Sequence, residues 1–338
     1  MKRRTGLRIT ALALAFLWTA AGCVCAEKVE AVNGSLPVFA EKVPDGYLEE
    51  TLPDGGRVEE ITYASRDYAN RGEETEKHAL VYLPAGYPGD KPCGVLYLLH
   101  GLRGSEKEWG FPGEGKNLAD HLFADGSVKN LIIVMPNGRS CRKYADTSSG
   151  DTRAFRVFGQ ELRNDLIPYI DGHYNTRADR DHRAIAGLSM GAMQTINIGL
   201  CECLDLFSAF GAFSAPQGTL TSPNIAGKMQ EFPEECTVRC FYSLCASDDE
   251  SAYDSARWAV QPVPPDARLS EENCFWQECR GGHSFRVWYL GLYNFLKLLG
   301  GMQEQENEPV NRGSCSPGYG FFLFTGDRKM CKITPDRR

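Results

Sequence analysis

Several patterns that would assign a function at once are missing from this sequence. Asp and Glu outnumber Lys and Arg, 44 to 37, which gives a net charge of −7 at pH 7, and no long basic run occurs. This excludes the electrostatic footprint of a nucleic-acid-binding protein. The thirteen cysteines form no Cys-x-x-Cys unit, and there is no His-Glu-x-x-His sequence. Since these are common zinc motifs, the sequence predicts no metal site.

Long apolar runs are scarce as well, and the one near the amino end is short. A basic segment, residues 2–4, precedes an apolar stretch over residues 9–22, and residues 24–26 are small enough for a cleavage site. The stretch is shorter than the roughly 20 residues that a membrane-spanning helix needs. The pattern is typical of a secretory signal removed after Ala26. A second interpretation is a lipoprotein signal with a lipid-bearing Cys23. Either way we expect a protein outside the cytosol, secreted or lipid-anchored at the cell surface.

The cysteine content fits such a compartment, because disulfides persist in oxidising surroundings. Removal of residues 1–26 leaves eleven cysteines, an odd number, so at least one thiol stays free or pairs elsewhere. Cys315 and Cys331 are candidate partners that would close a loop in the carboxyl-terminal tail. Four further cysteines cluster near the candidate active-site segments: Cys236, Cys240, Cys274 and Cys279.

One stretch joins a strand-length apolar run to a Gly-x-Ser-x-Gly pentapeptide. The run over residues 184–188 enters Gly187-Leu188-Ser189-Met190-Gly191, and an amphipathic helical pattern leaves it. The two glycines suit a strand-to-helix turn that is too tight for side chains beside the serine. The stretch predicts a nucleophile elbow with Ser189 as the nucleophile.

Strand and helix patterns alternate around this elbow. Residues 58–63 and 78–83 have the alternating pattern of two antiparallel strands that open a sheet. Apolar strand patterns follow at 94–101, 131–135, 184–188, 207–213, 238–245 and 274–279, and helical patterns at 118–123, 155–169 and 287–299. The alternation predicts an α/β fold with a mostly parallel central sheet and helices on both faces.

Histidine is scarce, which leaves few candidates for a catalytic base. Of the six histidines only His283 follows Ser189. In hydrolases built on such a sheet the chain order is nucleophile, acid, histidine. Asp248 and Asp249 follow the strand pattern over 238–245 and are the candidate acids. Neighbouring side chains at a strand end point in different directions, so we expect only one of them to reach His283.

The loop over residues 100–105 is the candidate oxyanion loop. In a hydrolase of this architecture it directs a backbone N–H toward the nucleophile, and we expect Leu102 to be that donor. The second donor is the N–H of Met190, directly after the serine. Two such donors would stabilise the oxyanion of a tetrahedral intermediate. We interpret His100 as a histidine buried under the loop that fixes its shape, rather than as a catalytic group.

The motifs together resemble the feruloyl esterase and esterase D-like group, the family 1 carbohydrate esterases. The blocks that carry the resemblance are Tyr82-Leu83-Pro84 with Gly86-Tyr87, residues 95–106 with Trp109, 132–137, 166–170, 182–191 and 197–200, and Gly281-Gly282-His283 with Phe285 and Val287-Trp288. They span about residues 57 to 300. The resemblance implies an α/β-hydrolase fold and hydrolysis of hydroxycinnamate esters on plant cell-wall xylan without metal or cofactor. Matched to the family motifs, Ser189 is the nucleophile, His283 the base and Asp249 the acid, with Asp248 as the alternative.

Two positions depart from the family pattern. Ala246 stands where the block before the acid usually has Gly, which leaves the two aspartates in competition. Met193 stands where relatives often have a small residue, and it would narrow the pocket. Met193, Trp109 and Gln194 are our candidate substrate-binding residues.

We therefore expect a secreted serine esterase acting on feruloylated or acetylated polysaccharide or oligosaccharide. The family also includes acetyl xylan and siderophore esterases, thioesterases and acyltransferases, and the secretion signal argues against a cytosolic thioesterase. A non-catalytic carbohydrate-binding scaffold is the alternative from another class. We divide the chain into a signal peptide (1–26), an irregular leader (27–56), the catalytic domain (57–300) and a tail (301–338).

Overall fold

The structure, a computed structural model, describes residues 36–307 except 112 and 149. Its strands are β1 (Arg57–Arg66), β2 (Glu74–Leu83), β3 (Gly94–Leu99), β4 (Leu131–Pro136), β5 (Arg183–Leu188), β6 (Ala209–Phe213), β7 (Cys240–Ala246) and β8 (Cys274–Cys279). They form one sheet in the order β1-β2-β4-β3-β5-β6-β7-β8. β2 pairs antiparallel with both β1 and β4, and the remaining neighbours are parallel. The predicted antiparallel pair at the start of the sheet and the predicted parallel order of most other strands are confirmed.

The helices are α1 (Glu114–Ala124), α2 (Arg153–Arg156), α3 (Phe158–Glu161), α4 (Ile167–His173), α5 (Met190–Gln194), α6 (Ser222–Met229), α7 (Tyr253–Val260) and α8 (Phe285–Asn307). The helix expected over residues 155–169 is present but interrupted at Val157, where α2 ends; from α3 the backbone stays helical through a π-helical stretch (Leu162–Leu166) into α4. Pro168 lies in the first turn of α4. Because proline has no backbone N–H, it cannot make the α-helical hydrogen bond to the preceding turn, and the π-helical stretch lies just before it.

Helices cover both faces of the sheet, as the sequence pattern predicts. α1 and α8 pack on one face, where Leu118, Leu122 and Leu296 are fully buried, while α3, α4, α6 and α7 pack on the other. As a result all six residues of β3, of β4 and of β5 are buried. This double cover explains why the central strands appear in the sequence as continuous apolar runs rather than as alternating patterns.

Residues 36–56, placed in the irregular leader, contain no helix or strand but pack against the α8 side of the sheet. Phe39 contacts the ring of Tyr242 with 4.8 Å between centroids. The backbone N–H of Ala40 donates to Asn294 Oδ1 at 2.9 Å, and its carbonyl accepts from Gln277 Nε2 at 2.8 Å. The predicted signal segment with Cys23 and the predicted Cys315–Cys331 pair lie outside the described residues.

The nine cysteines in the described part of the chain are all free thiols. The four clustered cysteines, Cys236, Cys240, Cys274 and Cys279, are thus not joined by a disulfide. The register of β7 and β8 gives the physical reason, because Phe241 pairs with Cys274 and Ala246 with Cys279. Each β8 cysteine is thus one residue out of register with a β7 cysteine, and successive strand side chains point to opposite faces. Accordingly Cys240 and Cys274 lie in the cores on opposite sides of the sheet.

Candidate active site

The candidate catalytic side chains all follow the carboxyl ends of parallel strands. Ser189 follows β5, Asp249 follows β7 and His283 follows β8, while the candidate oxyanion loop follows β3. Neighbouring parallel strands end at the same edge of a sheet, so chain segments that are far apart in sequence meet there. This is the edge at which ligands bind in open α/β sheets.

The turn at Ser189 is strained and crowded. Ser189 has a φ of 50°, a backbone conformation that non-glycine residues adopt rarely. A Cβ added to Gly191 would lie 2.6 Å from the carbonyl oxygen of Leu99, and one added to Gly187 would lie 2.6 Å from the backbone of Gly191. Both glycines are thus required by close backbone approach. The result is a half-buried Ser189 at the amino end of α5.

Three side chains form a hydrogen-bonded line across this edge. Ser189 Oγ lies 3.0 Å from His283 Nε2, and His283 Nδ1 lies 2.7 Å from Asp249 Oδ2. The side chain of Asp249 is 1 % exposed and that of His283 is 33 % exposed. The arrangement presents an imidazole to the serine hydroxyl on one side and to a buried carboxylate on the other, which is the geometry of nucleophile activation by a general base.

The two neighbouring aspartates have separate partners. Asp249 binds His283, whereas Asp248 Oδ1 accepts the backbone N–H groups of Gly281 and Gly282 at 2.9 and 3.0 Å. Burial raises the pKa of Asp249, but hydrogen bonds from Ser251 and His283 outweigh it and hold the net pKa below the usual value. The same glycine N–H groups lower the pKa of Asp248. Both carboxylates are therefore ionised at neutral pH, and only Asp249 contacts the imidazole.

The proposed oxyanion donors are backbone N–H groups that have no hydrogen-bond acceptor within the described protein. Within the described residues, the N–H groups of Leu102 and Met190 donate to no protein acceptor. Leu102 packs beside Met190, Met193 and Phe155. The Cβ position of Gly101 lies 3.5 Å from Ser189 Cβ, so the loop runs directly alongside the serine. Two N–H groups without a protein acceptor are thus present, one in the loop that runs alongside Ser189 and one in the residue that follows it.

A family model described as "Putative esterase" matches residues 72–292 of this chain. The chain belongs to this esterase family. The match covers well over half of the chain and includes β3, the elbow and the loops that hold Asp249 and His283. A serine nucleophile is typical of the family. The family predicted from the sequence motifs is therefore confirmed.

Two curated relatives match part of the esterase. An endo-1,4-beta-xylanase/feruloyl esterase of Xylanibacter ruminicola is 38% identical over 183 residues, 51% of this chain and 23% of that protein. Endo-1,4-beta-xylanase Y of Acetivibrio thermocellus is 31% identical over 192 residues, 53% of this chain and 16% of that protein. The aligned region is thus less than a quarter of either relative's own length.

Solved structures with similar folds include two ferulic acid esterases. A CE1 ferulic acid esterase from Anaeromyces mucronatus, in complex with ferulic acid, has a TM-score of 0.62 at 22% identity and covers 77% of this chain and 97% of its own. A mutant feruloyl esterase module from Clostridium thermocellum, complexed with sinapinate, has a TM-score of 0.65 at 23% identity and covers 79% and 96%. These likenesses confirm the predicted α/β-hydrolase fold.

The candidate substrate-binding residues need correction. Trp109 is 1 % exposed, donates from Nε1 to the carbonyl of Leu99 at 2.9 Å and packs among aromatic rings of the core. Gln194 is fully buried and donates to the carbonyls of Gly138 and Phe155. Met193 is also buried, against Met190 and Phe155. All three side chains are therefore buried beneath the site in the esterase, each at most 2 % exposed, and are engaged by the core instead of facing a substrate.

Several buried polar side chains near the site have roles that the sequence pattern does not indicate. Glu161, which lies within the predicted helical pattern over residues 155–169, is fully buried and pairs with the equally buried Lys77 at 2.9 Å. Lys77 Nζ also donates to the backbone carbonyls of Asn137 and Arg139, in the loop after β4. Because a lysine ammonium is costly to bury without partners, Lys77 is held by these two carbonyls and by Glu161, and in turn it fixes the start of that loop.

His100 takes the place under the oxyanion loop that its sequence context predicts. Nδ1 lies 2.7 Å from the carbonyl of Gly101, and Nε2 accepts the N–H of Gly138 at 3.0 Å. These partners assign the proton to Nδ1. Burial lowers the pKa of His100 to about 3, so the ring stays neutral.

Two clefts in the described part of the esterase lie away from this site. One of about 310 Å³ is lined by Cys93 and Asn130, which precede β3 and β4, and therefore opens at the amino ends of the strands. The other, of about 780 Å³, lies between Val260 and Trp276, where β8 begins. Within the described residues no group of three or more His, Cys, Asp or Glu side chains is arranged to hold a metal ion. Nor is any helix in residues 36–307 long and apolar enough to cross a membrane.

Proposed function

We propose that the esterase hydrolyses hydroxycinnamoyl esters, with feruloyl as the preferred acyl group, on plant cell-wall polysaccharide. The observation that carries this proposal is the hydrogen-bonded line from Ser189 through His283 to the buried Asp249. The acyl group is supported by the relatives, since the Xylanibacter ruminicola protein is named a xylanase/feruloyl esterase and the Anaeromyces mucronatus structure contains ferulic acid. The xylanase in both curated names supports a polysaccharide as the alcohol.

The reaction would proceed through an acyl-enzyme on Ser189. His283 Nε2 accepts the hydroxyl proton as Oγ forms a bond to the ester carbonyl carbon, and the same proton passes to the sugar oxygen when the C–O bond breaks. Asp249 holds the imidazole in the tautomer that presents Nε2 and stabilises its cation. The N–H groups of Leu102 and Met190 bind the oxyanion, and each such donor is worth about 3 kcal/mol of barrier. Water then attacks the acyl carbon while His283 accepts its proton; the bond from that carbon to Oγ breaks, the proton passes to Ser189 Oγ, and the free acid leaves.

We also propose that the esterase is exported, because residues 2–26 have the pattern of a secretory signal and a polysaccharide substrate lies outside the cell. Mass spectrometry of the protein from its producing cells tests this. A mature amino terminus at Glu27 supports secretion, and a lipid on an amino-terminal Cys23 supports surface anchoring. An intact Met1 on soluble cytosolic protein would refute export.

The catalytic proposal is tested by Ser189→Ala with a substrate panel of feruloyl, acetyl and thioester compounds. We expect S189A to lose turnover of methyl ferulate, and the wild type to prefer the feruloyl ester. Unchanged turnover in S189A would refute the mechanism, and preference for an acetyl ester would reassign the substrate. A serine-directed phosphonate should label the wild type at Ser189, whereas an inactive carbohydrate-binding scaffold would take up no adduct.

A further inference from the structure

Arg139 is a buried cation in the loop after β4. It is 3 % exposed, yet within the described residues it forms no ion pair. Its guanidinium instead donates to backbone carbonyls of the oxyanion loop, through Nη2 to Leu102 and through Nη1 to Gly104 at 2.9 Å. Burying a guanidinium costs several kcal/mol unless its N–H groups are satisfied. In Arg139 both Nη atoms have acceptors, whereas the buried Nε has none. These carbonyls are the partners that keep Arg139 in place, and Arg139 in turn fixes them.

Three consecutive peptide groups of the oxyanion loop are each held by one buried or half-buried side chain. The Glu108 carboxylate accepts the N–H of Gly101 at 2.6 Å, which fixes the peptide between residues 100 and 101. His100 binds the carbonyl of Gly101, which fixes the next peptide. Arg139 binds the carbonyl of Leu102, which fixes the third. The N–H of Leu102 belongs to the middle peptide and is left without a protein acceptor.

The orientation of a peptide group is coupled to those of its neighbours, because each pair shares one Cα and two dihedral angles. Gripping the peptides on both sides therefore limits the rotation of the middle one, whose N–H points away from the His100 contact. We propose that Arg139 is a positioning residue that aims the N–H of Leu102 at the oxyanion. This inference rests on the proposed function of Ser189 and goes beyond it, since it assigns a role to a side chain that touches no reacting atom.

Arg139 is itself held from several directions. Its backbone carbonyl accepts from Lys77 Nζ, and its backbone N–H donates to Asn137 Oδ1 at 3.3 Å. The guanidinium stacks over the ring of Phe155, 4.9 Å from the centroid. A planar guanidinium can bind two carbonyls and stack on a ring at the same time, whereas a lysine ammonium lacks this fork. We therefore expect arginine to be specifically required at this position.

The test compares Arg139→Gln and Arg139→Lys with the matched control Arg180→Gln. Arg180 likewise binds backbone carbonyls, those of Leu204, Phe207 and Thr237, and it pairs with Asp181 as well; it lies before β5 at the opposite edge of the sheet. The full-length proteins are titrated with the serine-directed phosphonate, so that kcat is expressed per active serine. Each is assayed with methyl ferulate and with a trifluoromethyl ketone analogue, which forms a tetrahedral oxyanion adduct.

We expect R139Q to lower kcat about 100-fold, with KM changed less than about threefold, because a misdirected donor acts on the transition state alone. Inhibition by the ketone should weaken by the same factor as kcat/KM. R139K should show a smaller loss of both, about tenfold. R180Q should lower the Tm while kcat and ketone affinity stay at wild-type values.

Wild-type kcat in R139Q, or a loss of kcat without weaker ketone binding, would overturn the proposal. An equal loss in R180Q would do the same, because the effect would then be general destabilisation. If R139Q does not fold, the R139K variant provides the test. Wild-type kcat and ketone affinity in R139K would then refute the positioning role of Arg139. A wrong substrate assignment can be told apart from a wrong role for Arg139. If the wild type hydrolyses another ester of the panel, the same comparison of variants is made with that ester. A wild type that neither turns over an ester nor reacts with the phosphonate refutes both proposals.

Discussion

At the scale of single residues, the two adjacent aspartates after β7 show how one strand end can supply two functions. Asp249 is buried and contacts the imidazole, while Asp248 faces the glycines that precede His283. Asp248 thereby holds the histidine loop, and Asp249 holds the histidine itself. The sequence alone leaves these roles open, because they depend on how the β7 and β8 loops approach each other.

This division predicts unequal losses of activity. Asp249→Asn should reduce kcat by about 10³ to 10⁴, because an amide cannot stabilise the imidazolium and favours the wrong tautomer. Asp248→Ala should cost about tenfold or less, since the glycine N–H groups that it frees are exposed to water, and Asp248→Asn, which keeps an acceptor oxygen, should stay near wild type. Steady-state kinetics per titrated serine checks the order. A larger loss in D248A than in D249N would contradict it.

His100 predicts a pH dependence of stability. Burial lowers its pKa to about 3 in the folded protein, whereas an unfolded histidine titrates near ~6.5. Between these values the unfolded chain binds the proton and the folded one does not, so stability is full above pH ~6.5 and falls as the pH drops. From pH 7.5 to 5.5 the loss from this group is about 1.4 kcal/mol in the free energy of unfolding.

Urea unfolding at the two pH values measures this loss. His100→Asn keeps an N–H donor for the carbonyl of Gly101 but has no titrating ring, so it should lose about 1.4 kcal/mol less than the wild type over the same interval. The other titrating groups are common to both proteins and cancel in the difference. Parallel pH profiles would mean that the folded protein takes up the proton at His100.

At the scale of elements, the elbow between β5 and α5 depends on the absence of two side chains. Gly191→Ala would place a Cβ 2.6 Å from the carbonyl of Leu99, and the strand cannot move away because it is paired on both sides. We expect a loss of about 2 kcal/mol or more in the free energy of unfolding and lower activity, since Ser189 would shift. Gly227, inside α6, has nothing within 4 Å of its Cβ position.

The matched substitution Gly227→Ala should therefore be neutral or stabilise by up to about 1 kcal/mol, as expected for a helix interior. Thermal and urea unfolding of both variants, with kcat per titrated serine, checks the contrast. A fully stable and active G191A would contradict the prediction, because it would show that the elbow can accommodate a Cβ at position 191.

At the scale of the whole molecule, the sequence predicts those features that depend on neighbouring residues, such as strands, or on the order of motifs along the chain. The central strands are visible as apolar runs, and His283 is predicted to be the base because it is the one histidine after Ser189. Contacts between distant segments are not visible in this way. Lys77 and Glu161 are 84 residues apart, so no local sequence pattern indicates that they form a buried ion pair. Trp109 likewise resembles a ligand-stacking residue until Phe213 and Tyr289 are seen to enclose it.

The predicted boundary at residue 57 can be tested on the same scale. Residues 36–56 supply Phe39 to the α8 side of the core and the backbone partners of Asn294, which is nearly fully buried. A chain that begins at Arg57 would expose that apolar surface and leave the Asn294 amide without these bonds. We expect its free energy of unfolding to fall by about 3 kcal/mol or more relative to a chain that begins at residue 27. Urea unfolding measures this difference.

Phe39→Ala in the longer chain provides the intermediate case, because it removes one ring and keeps the backbone bonds of Ala40. It should lose about 2 kcal/mol. Since this segment contacts α1, β8 and α8 rather than the carboxyl ends of the strands, kcat per titrated serine should be unchanged in both variants. Equal unfolding midpoints for the two chains would establish residue 57 as the true edge of the domain. A lower midpoint with unchanged kcat makes residues 36–56 part of the catalytic fold, required for its stability and not for its chemistry.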